Sequence, residues 1–550
     1  TLEQNSAVSG SSGSGGGLWL QNRSGSHASR LSFHSCILAH NKASAQGGAI
    51  ALFSGTAACT FELADCNITE NSASSHGGGL LAGGNGEGTL VFTDSRFTGN
   101  EAGSSGGAVY YSNGGGNSRL TAGNVRFEGN RAGYEGGALR INSGTGTLRA
   151  NLERCRITGN TADNNSGGGI WMGGPDTSLL LSNKTLTADN ISRIGNGGGI
   201  YCNTDNGTLT LDGTAEIRNN QAGTEESDFG GHGGGICAVP CHIILDAGSL
   251  LSENRAFLYG GGISLAENSV LEVNGAAIRS NTAGKQGGGI RNHGGSTVNM
   301  GAGDISLNTA SVGGGIYNDI GSQVYMTQKA SLGSAGLNNA LSHASGIYNN
   351  GEFYTEGQRD ISNGFYIEDR DAVVFLEGPL SSGSLLQLDN SGYVSPNPEG
   401  NPIIVGEGTP SYPVLSAQDA EAFRKPPQDF EGWEIRLGTG ETQIWLIPVV
   451  YTIHYENLEG SSHTNPDTYT VNTPDIYVNP PDPRPGYRFA GWYDAPENGR
   501  LVTVILQGST GDLLLYARWL PLRPGRPRLP NRICRPGEPS CCYRRRGCRY

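Results

Sequence analysis

Residues 97–109 read "FTGNEAGSSGGAV", and nearly the same words return at residues 127–139 as "FEGNRAGYEGGAL" and at residues 157–170 as "ITGNTADNNSGGGI". A large apolar residue, an Asn, a small residue two positions later, and a glycine pair followed by an aliphatic recur while the residues between them vary. A fixed recurrence of this length is the mark of a repeat architecture, and it is weighed before any single motif.

Working outward, the asparagines are Asn5, Asn41, Asn71, Asn100, Asn130, Asn160, Asn190, Asn220, Asn254, Asn281, Asn308 and Asn338, most of them 29 or 30 residues apart and the later copies 27. Three residues before most of them lies a large apolar side chain such as Leu38, Phe97 or Ile217, and five before lies a small one such as Cys36, Ser95 or Ala215. That is a period of two, the pattern of a strand with one face inward. A helical repeat needs ten or more residues of 3.6 period without glycine, and no copy offers them. Each copy therefore reads as one coil of short strands joined by tight corners, and stacked coils form a solenoid. The expected fold is all-β: a right-handed parallel β-helix.

Stacking explains why the signature repeats. Equivalent residues in successive coils lie about 4.8 Å apart, so repeated positions are those where like packs on like. Asn is expected at a left-handed corner, its amide bonding to the amide above in a ladder. The glycine pair allows a corner that a Cβ blocks. None of these roles is catalytic.

Composition agrees with a corner-rich β protein: Gly supplies 89 of 550 residues, charged residues are 16%, and no apolar run approaches a membrane span. The net charge of −13 conceals a basic tail, since residues 520–550 hold nine Arg and one Glu and leave the remainder at −21. An acidic body argues against nucleic acid or an anionic membrane surface as partner.

The texture changes twice along the chain. Residues 1–364 carry the repeats. Residues 365–448 lose the signature but keep apolar strands and a short helix near "SAQDAEAFRK", and read as a β-rich C-terminal cap covering the open end of the solenoid. Residues 449–519 form a separate aromatic-rich module with "PDPRPGYRFAGWYDAPENGR" and "GDLLLYARW". Residues 520–550 are a basic Cys/Pro/Arg-rich tail, read as out-of-frame translation or, alternatively, as a disordered tail that binds acidic wall polymer.

The module resembles the internalin-type B-repeat, also called the Listeria-Bacteroides repeat. Pro485, Gly486, Tyr487, Phe489, Gly491, Trp492 and Tyr493 fit its first element, and Leu515, Tyr516, Ala517 and Trp519 its final strand. The resemblance implies a small β-grasp-like fold used as a stalk or spacer in extracellular bacterial proteins. From the residues alone, these aromatics are the core that a domain of this size needs. The repeats in turn resemble those of the chlamydial polymorphic outer-membrane proteins and related adhesin-like β-helix proteins, best at "FTGN" with "GGAV" and "FEGN" with "GGAL". That resemblance implies a surface-exposed solenoid that adheres.

Sites for chemistry are sparse. Asn203, Thr204 and Asp205 with Gly231, His232 and Gly233 resemble fragments of a polygalacturonase site, but the adjacent Asp-Asp and the Arg-x-Lys of those enzymes do not occur nearby. Glycoside hydrolysis needs two carboxyls at a set separation, and here there is one. "GGNGEG" and "GGPDTS" lack the nine-residue period of a calcium-binding roll. Glu225, Glu226 and Asp228 form an acidic loop that reads as solvated, with a hard cation as the sharper alternative. Cys237, Cys241 and His242 have loose zinc-like spacing without a second pair. Cys36, Cys66 and Cys155 share a small inward position; Cys36 and Cys66 stack in neighbouring coils as free thiols or, alternatively, as a disulfide.

The expectation is therefore a non-catalytic, adhesin-like protein with no catalytic, cofactor or metal site. It sits on the bacterial surface, binds a glycan or an extracellular protein, and is held at the cell wall by an anchor not seen in this chain. The alternatives are a polysaccharide lyase or hydrolase of the pectin-degrading type and a passive spacer. "TLEQNSAV" supplies half a coil without a cap, so the natural protein is expected to extend upstream.

Overall fold

The computed structural model describes residues 1–8, 13–22, 28–224, 230–368, 372–389, 402–425 and 430–523. The chain divides into two compact units, Thr1–Pro448 and Val449–Tyr550.

The first unit is a parallel β-solenoid. Its strands gather into three long sheets of 25, 12 and 15 members, because every coil gives strands to each in turn. One coil shows the plan: Gly88–Thr93 and Arg96–Thr98 lie in the first sheet, Glu101–Ala102 in the second and Val109–Asn113 in the third. Repeated residues stack in register, Phe97 on Phe127, Ala102 on Ala132 and Val109 on Leu139. Leu90, Phe92, Phe97, Ala102, Val109 and Tyr111 are all buried, so the period-two pattern did mark the inward face. Fully burying such an aliphatic or aromatic side chain contributes about 1.5–3 kcal/mol, and each column repeats that gain coil after coil.

The asparagines form the expected ladder. Asn100 Nδ2 donates to Asn130 Oδ1 (3.0 Å) and to the Ile68 carbonyl (2.8 Å), while its backbone N–H donates to the same Asn130 Oδ1 (3.0 Å). Asn130 repeats the pattern onto Asn160 and Asn160 onto Asn190, each residue 1% exposed or less. Every buried donor and acceptor of these amides is thereby satisfied, which removes the cost of burying them. The ladder continues past Asn338 to Asn363. A second one, of Asn292, Asn318 and Asn349, runs along the third sheet.

The corner assignment needs correcting. The ladder asparagines do not adopt the left-handed conformation; from Asn5 to Asn308 the residue before each does, as in His40 (φ 53°), Glu70 (51°), Gly99 (62°) and Asn219 (52°). The glycine pair also splits into two roles. Gly136 is left-handed (φ 64°), whereas Gly137 is needed because a Cβ there would lie 2.1 Å from the Gly168 carbonyl oxygen in the next coil.

Parallel coils outlast the signature. Glu352–Gly357, Val374–Leu380 and Ile403–Gly408 still pair in parallel, and only then do Gln443–Pro448 and Trp433–Leu437 add antiparallel strands. The helix of this region is Ala417–Ala422, started by a Ser416 capping box with Asp419. Asp419 is fully buried and accepts from the Leu380 N–H (2.8 Å), tying the helix to the last coils.

The second unit holds a five-stranded sheet in the order Thr468–Tyr469, Tyr451–Glu456, Leu513–Pro521, Tyr487–Tyr493, Leu501–Val502. Its central pair, Tyr451–Glu456 with Leu513–Pro521, is parallel. Trp492 is the centre of its core, 1% exposed, with Tyr455 and Phe489 packed edge-on against it. Not every motif aromatic is core: Tyr487 is 38% exposed and carries the Arg484 guanidinium 4.1 Å from its ring centre.

Candidate functional site

Since the recurring residues point inward, any chemistry must lie on the outward columns and in the turns. His232 lies beside Asn196, which accepts from its backbone N–H (3.0 Å), ahead of the third-sheet strand Ile200–Asn203; Asp205 lies beyond the other end of that strand. The two are separated rather than joined. His232 packs edge-on against Tyr259, and burial, then the charges of Arg291 and His293, pull its pKa down to about 4. It is a neutral ring at ordinary pH.

One pair of cysteines is joined that the sequence did not suggest, while Cys36 and Cys66 remain free as expected. Cys202 and Cys241 form a disulfide, with Cα atoms 5.9 Å apart, and Cys241 is therefore no zinc ligand. Cys237 is buried in the outward column beside Tyr201 and is a free thiol, its pKa raised by burial to about 12. His242 instead meets Glu272 (3.0 Å). Sequence reasoning missed the bridge because no repeat position links the two residues: Cys202 sits in a strand and Cys241 in the turn of the next coil. Cys36 and Cys66 stack as free thiols, the Cys36 N–H donating to Cys66 Sγ (3.4 Å).

In the turns that hold "GGNGEG" and "GGPDTS", Asp176 is engaged by Arg149 (2.7 Å). No group of three or more His, Cys, Asp or Glu able to hold a metal occurs among the described residues. Glu225, Glu226 and Asp228 lie outside the described residues, as do residues 524–550 of the tail.

Two outward features remain. On the third sheet, side chains stack along the axis: Arg140 lies between Tyr110 (4.7 Å) and Trp171 (4.4 Å) and pairs with Glu135, and further along Tyr317, Tyr348 and Tyr366 stack at 4.7 and 5.0 Å. On the first sheet, Tyr325, Tyr354 and Phe375 stack likewise at 4.5 and 5.0 Å. Rings stacked face to face turn their faces to one another and only their edges to solvent. These ladders hold coils in register and are poor platforms for a sugar ring.

The other feature is a groove of about 290 Å³ on the outward face of the first sheet. Its sides carry Arg119 and Arg149, and its floor includes Asn151, Ser178 and Thr210. Registers place these in four successive coils, Arg119 beside Arg149, Thr121 beside Asn151, Asn151 beside Leu180 and Leu180 beside Thr210. Asn151 Oδ1 is buried there without a hydrogen-bond partner.

The sheet of the second unit has Trp492 at its centre and "LLLYARWLP" as its long strand. Residues 451–518 match the Listeria-Bacteroides repeat domain. Within the solenoid, residues 94–112 match the Chlamydia polymorphic membrane protein repeat, the stretch that contains the Phe97–Val109 signature. No curated protein and no solved structure matches the chain. The Listeria-Bacteroides repeat match covers nearly all of the described second unit, whereas the Chlamydia repeat match covers less than one coil. Together with the solenoid they fit a surface or outer-membrane-type repeat protein.

Proposed function

We infer that this chain is an adhesin-like protein, displayed on the bacterial surface or secreted, whose solenoid offers its variable outward columns to a glycan or protein ligand without catalysis. One observation carries the reading. The repeated residues, the ladder asparagines, the apolar columns and the close-packed glycines, are buried and satisfied by one another, so selection for the fold accounts for them all. What is left free to recognise anything is the outward polar surface, supported on a rigid stack.

Further support comes from the Cys202–Cys241 disulfide, a bond that persists in oxidising compartments, and from the two family matches. Against the pectin-degrading alternative stands the separation of Asp205 from His232 across a strand, which leaves that pair without a shared substrate position. The chain has no helix among its described residues long and apolar enough to cross a membrane.

A glycan array and a panel of extracellular matrix proteins, probed with the whole chain and paired with a reducing-sugar assay on acidic polysaccharides, test the reading. Binding without product is expected. Product formation that disappears in Asp205→Asn overturns it in favour of an enzyme, and silence in both assays overturns it in favour of a spacer.

A further inference from the structure

The groove on the first sheet combines a cavity, a positive charge without an ion pair among the described residues, and a polar atom without a hydrogen-bond partner. We propose that it binds a short segment of an acidic oligosaccharide, a uronic-acid trimer or similar, lying along the solenoid axis. The proposal rests on the adhesive reading above and names its ligand class.

Shape comes first. Four coils about 4.8 Å apart give the groove a length of about 14 Å, and its volume of about 290 Å³ is at the small end for a ligand site. The floor is mixed: the apolar Leu180 lies between Asn151 and Thr210, and hydroxyls flank it. Ser178 Oγ accepts from the Thr208 N–H (3.1 Å) and keeps its own proton to donate. Thr208 and Thr210 are half-buried beside it. A row of hydroxyls at coil spacing suits a ligand that itself carries hydroxyls at short, regular intervals.

Hydrogen-bonding demand then narrows the chemistry. Asn151 Oδ1 is covered and accepts from nothing, so an occupant reaches it only where the Asn151 side chain turns outward, and must then donate. Arg119 is exposed and makes no ion pair or side-chain hydrogen bond among the described residues, so an occupant must also accept, and a carboxylate does so best. Arg149, one coil on, is already shared with Asp176 and adds a second, partly neutralised positive group. A sugar acid supplies hydroxyl donors and a carboxylate acceptor on one ring; a neutral sugar leaves Arg119 unmet, and an inorganic anion leaves Asn151 unmet.

Charge agrees with this choice. The chain is acidic at −13, yet residues 94–193, which supply the arginines and most of the groove, hold ten Arg and Lys against eight Asp and Glu. This stretch therefore opposes an anion less than the rest of the acidic body does.

The test is titration calorimetry of the full chain with a trimer of galacturonic acid, with maltotriose as the neutral counterpart. The trimer is expected to bind, more weakly as salt is raised. Arg119→Ala and Asn151→Ala are each expected to lower affinity about tenfold or more. Arg488→Ala, exposed in the second unit, serves as a control and is expected to change nothing. Unaltered circular dichroism melting shows that the groove variants remain folded. Equal binding of maltotriose overturns the acidic class. Trimer binding that survives both groove variants overturns the groove while leaving adhesion intact, and failure of the intact chain to bind any glycan or matrix protein overturns both.

Discussion

The solenoid and the second unit solve the same problem, a stable β protein, in opposite ways. In the solenoid the core is a set of columns, and Phe97, Phe127 and Ile157 each contact chiefly the coil before and the coil after. In the second unit the core is a single cluster gathered about Trp492, with Ile453, Tyr469, Ile505, Leu515 and Ala517. A repeat array distributes its stability and suffers local damage, whereas a domain of some seventy residues depends on a few large side chains. Damage to one should therefore stay local, and damage to the other should be total.

The sharpest way to break this comparison is Trp492→Ala. The indole is buried and its Nε1 donates to the Asn479 carbonyl (2.8 Å), so removal should cost about 3–5 kcal/mol. Calorimetry of the whole chain should show the transition of the second unit lost or shifted far down, with the solenoid transition in place. A solenoid that melted with it would end the distinction.

Asn160→Ala interrupts the ladder. Asn130 loses the acceptor of both its backbone and side-chain N–H, and the Phe127 carbonyl loses a donor. With about 1–3 kcal/mol for each of these three buried groups left unmet, a loss of about 3 kcal/mol or more is expected in chemical denaturation. Hydrogen exchange should rise in the coils beside Asn160 and remain unchanged near Asn281. Uniform acceleration would show that the array behaves as one cooperative block.

Gly137→Val should cost about 1–3 kcal/mol through overpacking against the next coil. An unchanged denaturation midpoint would contradict that close approach.

Acid should sharpen the comparison from another side. His232 has a folded pKa of about 4, below its ordinary 6.5, because burial and the neighbouring Arg291 and His293 disfavour its charge. Between those two values the unfolded chain takes up the proton and the folded one does not, so stability is full above pH 6.5 and falls as pH drops towards 4. His232→Gln should flatten that limb of the solenoid's stability profile, and an equal slope in the variant would refute the assignment.

The smallest effect is expected from Gly129→Asn. Gly129 is left-handed (φ 63°) with open space around its Cβ direction, and Asp189, Asn219 and Glu253 hold the same position in other coils at φ 52–59°. A change within about 0.5 kcal/mol is expected, against the much larger cost at Gly137 in the same coil stack.

Much of this architecture was readable in the chain. Phe97, Asn100, Ala102 and Val109 recur at fixed offsets, and only parallel stacking makes identical residues neighbours, so the coil, its inward face and the asparagine ladder followed from the period itself. The motif from Pro485 to Tyr493 similarly marked the second unit, although it could not say that Tyr487 would lie on the surface under Arg484. The groove and its occupant were not readable at all: Arg119, Asn151 and Thr210 belong to no repeated position, and each is unremarkable alone.

The sequence by itself determined what repeats: which residues stack, which face is buried and roughly where one coil ends. The tertiary structure alone decided what meets across unlike positions. It placed the left-handed turn one residue before the ladder Asn in the coils from Asn5 to Asn308, gave the two glycines of a pair different tasks, joined Cys202 to Cys241, and carried parallel coils through Ile403–Gly408 after the signature had gone. The physical reason is that periodicity reports only neighbours related by the repeat. Contacts between unlike positions depend on the length and path of each turn, and those are set by backbone packing between coils rather than by any residue pattern within one.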